Sequence, residues 1–183
     1  MDRRGFLKAL PFIPAATVEE IKEPSSPPEE ELNIIRPPYS DEESDFSKCA
    51  ECGGSCITAC EERLLFRLQD GSPKLVFSDK GCTFCKKCAE ACEFDVLSTQ
   101  KPERIYALFK INISKCVSWQ NVMCFSCKDP CIDNAIKFDG IFRPQIIPDV
   151  CTGCGFCIPV CPSGAIEVFP LEREREENEE NTA

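Results

Sequence analysis

Histidine is absent from this 183-residue chain, and its absence removes several classes of function. Without imidazole there is no Ser-His-Asp triad, no His-ligated zinc or copper, and no haem on a proximal histidine. No apolar run approaches the roughly 20 residues of a membrane-spanning helix, so we expect no transmembrane segment. Basic residues are few: the chain has 21 of them against 31 acidic residues. The resulting formal net charge of −10 argues against a nucleic-acid partner.

Cysteine is abundant, and its sixteen residues fall into four sets of four with none left over. The second and fourth sets read C-x2-C-x2-C-x3-C, the run typical of bacterial ferredoxins, and the fourth continues into Pro162. The first set has one extra residue in its second gap, and the third has seven residues, 117–123, in its first gap. The sets are Cys49, Cys52, Cys56, Cys60; Cys82, Cys85, Cys88, Cys92; Cys116, Cys124, Cys127, Cys131; and Cys151, Cys154, Cys157, Cys161.

This spacing favours [4Fe-4S] clusters, because three closely spaced thiolates let one loop surround an iron–sulfur cubane. Two alternatives are weaker. A disulfide framework would rarely use cysteines two residues apart, since such pairs close very small loops. A four-thiolate zinc site usually separates its two pairs by a dozen or more residues and leaves the third closely spaced cysteine unexplained.

The fourth cysteine of each set lies one helical turn beyond the third, so we expect it to bind the neighbouring cluster, as in two-cluster ferredoxins. An apolar hairpin pattern around Asp70-Gly71 joins the first two sets, and another around Asp139-Gly140 joins the last two. This internal repeat predicts two modules with crossed ligands. The predicted ligand groups are Cys49, Cys52, Cys56, Cys92; Cys82, Cys85, Cys88, Cys60; Cys116, Cys124, Cys127, Cys161; and Cys151, Cys154, Cys157, Cys131.

The acidity lies outside the predicted core. Residues 1–45 carry 11 acidic and 5 basic side chains, residues 171–183 carry 6 and 2, and the core is balanced. We therefore predict an α+β fold of tandem bacterial-ferredoxin-like modules, two 2×[4Fe-4S] units, with flexible acidic tails. The predicted parts are a flexible segment 1–45, a first module 46–97, a second module 98–170 and a disordered tail 171–183.

The N-terminus starts with a twin-arginine pattern, Arg3-Arg4-Gly5-Phe6-Leu7-Lys8. This pattern is typical of export signals on proteins that fold around their cofactors first. The apolar stretch that follows is short and interrupted by Lys8, Pro11 and Pro14. The alternative is a short basic segment that contacts a partner.

The residues 34–46, with Ile34-Ile35-Arg36-Pro37-Pro38-Tyr39-Ser40, followed by these cysteine sets, resemble the NapF-type ferredoxin-like proteins of the periplasmic nitrate reductase system. The resemblance also covers the Arg3-Arg4-Gly5 start and the seven-residue gap of the third set, and extends to about residue 169. It departs from the family in the extra residue of the first set.

The resemblance implies a cytoplasmic protein that acts on the catalytic molybdenum subunit, NapA, inserting or maturing its [4Fe-4S] cluster before export. The family is usually described with three regular clusters, so three or four clusters are expected here. In this hypothesis Arg36, Pro37, Pro38 and Tyr39 dock the partner, although Pro37-Pro38 could equally be a stiff spacer on the core. The competing hypothesis is a multi-cluster electron-transfer subunit. We do not expect an enzyme, because the sequence offers no recognisable nucleophile–base pair.

Overall fold

The computed structural model describes residues 34–171, and these residues form short elements joined by long loops. Two helices have one turn each, α1 (Ser55–Thr58) and α2 (Lys87–Glu90), and two 3-10 helices cover Phe46–Ala50 and Val117–Gln120. The six strands are β1 (Leu65–Arg67), β2 (Pro73–Leu75), β3 (Ala107–Ile111), β4 (Ile136–Asp139), β5 (Phe142–Ile146) and β6 (Ile166–Pro170).

Both predicted hairpins are present. Strands β1 and β2 pair antiparallel with Leu65 opposite Leu75, and β4 and β5 pair with Ile136 opposite Ile146. Gly71 and Gly140 turn the chain with φ of +85° and +66°, a conformation that glycine adopts without the steric cost of a side chain. Each hairpin therefore returns the chain from one cysteine set to the next.

The third sheet joins segments distant in sequence. Strand β3 lies in the apolar stretch before the third cysteine set, and β6 follows the fourth set. They pair antiparallel, with Ala107 opposite Pro170 and Ile111 opposite Ile166. This pairing closes the second half of the described chain around its cysteines.

The hydrophobic core consists of two clusters. The first gathers buried side chains that include Tyr39, Leu64 and Ile105, and the second includes Phe109 and Ile136. Two partly buried residues pack against both clusters, Phe77 and Ala107. The two hydrophobic clusters are therefore in contact through a few side chains near the start of β3.

The segment 34–45 lies against the first hydrophobic cluster, although the sequence predicts that it belongs to a flexible N-terminal segment. The backbone N–H of Leu75 donates to the carbonyl of Ile35, so this segment extends the β1–β2 hairpin on one side. Pro37, Pro38 and Tyr39 are buried. The packed region thus begins at or before residue 34 and not at 46.

The twin-arginine start and the acidic tail after residue 171 lie outside the described residues. Within residues 34–171, no helix has the length and apolar character needed to cross a membrane.

Candidate metal centres

All sixteen cysteines lie within the described residues, and none of them forms a disulfide. The loops bring thiols together across the two sets of each half. Three cavities are each lined by four cysteines, three from one set and the fourth from its neighbour. We call them site 2 (Cys60, Cys82, Cys85, Cys88), site 3 (Cys116, Cys124, Cys127, Cys161) and site 4 (Cys131, Cys151, Cys154, Cys157).

The remaining four cysteines, Cys49, Cys52, Cys56 and Cys92, make up site 1. Burial raises the pKa of the Cys56 thiol to about 11, and the charges of Cys92, Cys49 and Cys52 raise it further. Burial also raises the pKa of Cys49, again with Cys92 and Cys52 as the main charged neighbours. Cys92 therefore lies beside the first set rather than with its own.

The donor set suits a polynuclear cluster better than a single ion. Within residues 34–171, no three Cys, Asp or Glu side chains converge closely enough to hold one metal ion. The cavities at sites 2, 3 and 4 are each surrounded by four thiols and partly open to solvent. Four thiols spread around such a space fit a [4Fe-4S] cubane, whereas zinc draws its sulfur ligands to about 2.3 Å from one point.

Apolar side chains line the sites and change the chemistry of the thiols. Burial raises the pKa of Cys88 to about 12 at site 2, and it raises that of Cys157 to about 12 at site 4. These free thiols are protonated at neutral pH, because their charged form is poorly solvated. Binding iron as thiolates must therefore release protons.

Backbone N–H groups point at the sulfur of the fourth cysteine in three sets. Burial alone would raise the pKa of Cys161, but bonds from the Ala165 and Ser163 N–H groups and the Ser163 hydroxyl outweigh it and lower the pKa. Such donors stabilise a thiolate. The N–H···S distances are 3.4 Å from Leu97 to Cys92, 3.3 Å from Ala135 to Cys131 and 3.2 Å from Ala165 to Cys161.

The loops of the second and fourth sets share one unusual backbone shape. In the fourth set, Gly153 and Gly155 flank Cys154 with φ of +80° each. In the second set, the matching positions are Phe84 and Lys86, with φ of +52° and +67°. Positive φ at Gly153 and Gly155 is predictable from glycine itself, whereas Phe84 and Lys86 carry no such signal in their own set. Aligning the two sets against each other would reveal them.

Asp133 is another neighbour that the sequence analysis missed. It lies between the third and fourth sets and accepts hydrogen bonds from the Thr152 N–H (3.2 Å) and hydroxyl. Its carboxylate lines site 4 and contributes to the raised pKa of Cys154, after burial as the main cause. An isolated aspartate between two cysteines carries no sequence signal for this role.

The family of the 4Fe-4S binding domain matches residues 144–167, which contain the fourth cysteine set. The NapF ferredoxin-type protein of Escherichia coli K12 is 39% identical over 139 residues, covering 73% of this chain and 84% of the relative. The NapF protein of Haemophilus influenzae is 36% identical over 145 residues, covering 76% and 81%. The chain belongs to the NapF family of ferredoxin-type proteins. The ferredoxin-type protein NapG of Escherichia coli K12 is also similar, at 30% identity over 164 residues, covering 75% and 71%.

NapF family membership confirms the resemblance drawn from the sequence, and the matched domain makes this an iron–sulfur protein with few helices and small sheets.

The segment 36–39, which was predicted to dock a partner, is held by contacts within the chain. Tyr39 is 1% exposed, and its hydroxyl donates to the Phe84 carbonyl at 2.7 Å. The Arg36 guanidinium donates to the Ser72 hydroxyl at 2.8 Å and lies over the Phe46 ring at 4.2 Å.

These contacts favour the alternative that the segment is a spacer packed on the core. Pro37, Pro38 and Tyr39 lie under other parts of the chain, so a partner would reach them only after local opening. The side chains of Pro38 and Tyr39 instead line the cavity of site 2.

The long gap of the third set forms an exposed loop beside site 3. Its first part is the 3-10 helix Val117–Gln120, anchored by a hydrogen bond from the Trp119 indole N–H to the Pro144 carbonyl at 3.1 Å. Val122 and Met123 follow with 55% and 66% of their surface exposed, immediately before the ligand candidate Cys124. Site 3 thus carries an apolar, solvent-facing edge.

Proposed function

We propose that this NapF-type protein is an accessory iron–sulfur protein, not an enzyme, that matures the catalytic molybdenum subunit of periplasmic nitrate reductase. It acts on a NapA-type subunit in the cytoplasm before export and inserts or assembles the [4Fe-4S] cluster of that subunit. The observation that carries the proposal is the regrouping of sixteen thiols into four crossed sites in a chain of this family.

The proposal includes four resident [4Fe-4S] clusters, one for each such site and the larger of the two numbers expected, in two tandem modules flanked by acidic tails. The clusters supply one-electron chemistry when bound. The chain contributes the thiolate ligands, the apolar side chains that keep water from the sulfurs, and N–H donors such as Leu97 and Ala165 that stabilise the negative charge.

Site 3 is the candidate source of a transferred cluster, because its ligand loop has the longest gap and an exposed apolar edge. The exposed Val122 and Met123 would let an apo-partner approach Cys124 without opening the core. Site 1, whose first set has an extra residue, is the second candidate.

The test is transfer of ⁵⁵Fe from anaerobically loaded protein to the apo form of the NapA-type subunit, with iron and sulfide counted on both. Two variants are matched, Cys124→Ser in site 3 and Cys154→Ser in site 4. Both should lose about one cluster's iron, but only the first should abolish transfer. Equal transfer by both variants would exclude site 3 as the donor. Protein that yields no iron to the partner would contradict the maturation role.

A carrier of electrons is the second candidate function, favoured by direct backbone contact between the cysteine loops of the two halves at Cys82 and Cys154. A carrier needs clusters that resist a chelator and cycle reversibly. If all four behave so and none transfers, the protein is an electron-transfer subunit.

Cytoplasmic location is proposed from the family resemblance, with periplasmic export as the alternative because of Arg3-Arg4. Blotting cytoplasmic and periplasmic fractions for the full chain and for an Arg3→Lys/Arg4→Lys variant distinguishes the two. A periplasmic pool that disappears in the variant would overturn the cytoplasmic assignment.

A further inference from the structure

Two cysteine loops from different halves of the chain meet through their backbones. The N–H of Cys82, in the second set, donates to the carbonyl of Cys154, in the fourth set, at 2.7 Å. Close by, the N–H of Ile105 donates to the carbonyl of Thr152 at 2.9 Å. The loop that carries site 4 is therefore hydrogen-bonded to the loop that carries site 2.

Glycines make this approach possible. A Cβ on Gly81 would lie 2.8 Å from both the Cys154 carbonyl oxygen and the Phe156 ring. A Cβ on Gly153 would lie 2.6 Å from the Ile105 carbonyl oxygen, and one on Gly155 would lie 2.3 Å from the Phe77 ring. Real Cβ atoms are not found so close to other atoms. Gly81 therefore permits the two loops to meet, and Gly153 and Gly155 let the fourth-set loop pack against Ile105 and Phe77.

Within each half, two sites are adjacent because single short turns carry ligands for both. Cys56 belongs to site 1 and lies in α1, and Cys60 belongs to site 2 and lies two residues beyond the end of α1. Cys127 and Cys131 link sites 3 and 4 in the same way. Residues four apart on such a turn lie about 6 to 8 Å apart along its axis.

We propose that the Cys82–Cys154 contact is the electron-transfer contact between the two halves, so that the four sites follow one another in the order 1, 2, 4, 3. One electron crosses it, leaving one of the two sites oxidised by one electron and the other reduced by one. No covalent bond forms or breaks, and no proton moves. The proposal rests on four resident clusters, but it does not depend on the maturation role.

The order places the two regularly spaced sets in the middle and the two irregular ones at the ends. Electrons that enter at one irregular site thus leave at the other. The exposed loop with Val122 and Met123 lies at one of these ends, where a partner has access.

The test uses electron paramagnetic resonance on fully reduced protein, in which neighbouring clusters broaden each other's signals. One chain keeps only sites 2 and 4, and a matched chain with four substitutions keeps only sites 1 and 3. The first chain carries Cys49→Ala, Cys52→Ala, Cys116→Ala and Cys124→Ala, and the second carries Cys82→Ala, Cys85→Ala, Cys151→Ala and Cys154→Ala. The chain with sites 2 and 4 should show an interaction spectrum, and the other should show two isolated signals.

A second comparison keeps all ligands in place. Gly81→Ala should push the two loops apart and weaken the interaction between the halves. Gly53→Ala is the control, because it also adjoins a ligand cysteine but a Cβ there meets nothing within 4 Å. Neither glycine has positive φ, so backbone strain does not separate the two variants.

The outcomes are distinct. Isolated signals in the chain with sites 2 and 4, or interaction in the chain with sites 1 and 3, overturn the order. If either four-substitution chain fails to fold, identical spectra for Gly81→Ala and Gly53→Ala overturn it instead. Iron below four clusters in the unsubstituted chain overturns the proposed cofactor content, and with it this inference.

Discussion

Tyr39 illustrates how one side chain ties the N-terminal segment to a metal centre. Its ring lines site 2, and its hydroxyl donates to the carbonyl of Phe84, one residue before the ligand candidate Cys85. Burial, with the nearby charge of Glu103 as a lesser cause, raises the pKa of the phenol well above its usual range. The phenol therefore stays a neutral hydrogen-bond donor at any physiological pH.

Tyr39→Phe should lower the free energy of unfolding by about 0.5 to 1.5 kcal/mol, because the Phe84 carbonyl loses its donor in a partly buried place. Bleaching of the iron–sulfur absorption on heating measures the effect. Tyr106→Phe is the matched control, since Tyr106 is the other tyrosine of the chain and is 36% exposed. Equal bleaching by the two variants would mean that the Tyr39 hydroxyl contributes nothing to this loop.

At the scale of single residues, the sequence was informative about chemistry and poor about burial. The predicted cysteine ligands stood out because their spacing is local. The Arg36–Tyr39 segment was ambiguous because its environment depends on residues far along the chain. The N–H of Ser98 donates to the Tyr39 carbonyl, and the Tyr39 N–H donates to the Pro102 carbonyl. Those contacts leave no trace in the segment itself.

At the scale of loops and strands, the two regular cysteine loops share a backbone shape but not a sequence. A left-handed conformation costs a residue with a side chain about 1 to 2 kcal/mol. The fourth set avoids this cost with Gly153 and Gly155, whereas the second set incurs it at Phe84 and Lys86.

Lys86→Gly should stabilise the folded chain by a net free energy of up to about 1 kcal/mol and so slow the thermal loss of clusters. The relieved left-handed strain exceeds the extra freedom of glycine in the unfolded chain, about 0.4 to 1 kcal/mol. The exposed contact of Lys86 with Glu103, at 3.9 Å, adds little. The measurement is the rate of absorbance loss at a fixed temperature.

Lys87→Gly provides the comparison, since it removes the neighbouring lysine from α2, where glycine is unfavourable. It should speed the loss of clusters. A slower loss in both variants would point to the removal of positive charge rather than to backbone strain.

The hairpins were predictable because Asp70-Gly71 and Asp139-Gly140 are local turn signals between apolar stretches. Strand β3 was also predictable, because the apolar run 105–113 contains it. Its partner was not, because β6 lies more than fifty residues further along and pairing at that distance has no local signal.

At the scale of the whole molecule, the described residues 34–171 have little to hold them together apart from the candidate metal centres. The longest described helices and strands have five residues, and the core is divided into two small clusters. Several core members are cysteines, among them Cys56, Cys88 and Cys127. Binding of the iron–sulfur clusters therefore contributes much of the free energy of folding.

Removal of iron should leave the chain largely unfolded. Far-UV circular dichroism, recorded before and after anaerobic chelation, measures this change. Refilling with iron and sulfide should restore the spectrum, and zinc alone should not. A spectrum that is unchanged after the iron has gone would show that the two hydrophobic clusters suffice for folding.

Crossed sites also impose a sequence of events during biosynthesis. A ribosome releases Cys88 before Cys92, so site 2 has all its thiols while site 1 still lacks one. In the second half, Cys157 emerges before Cys161, and site 4 is ready before site 3. The two sites with irregular loops are thus the later to be completed in their halves, and a chain truncated early in translation carries the regular ones first.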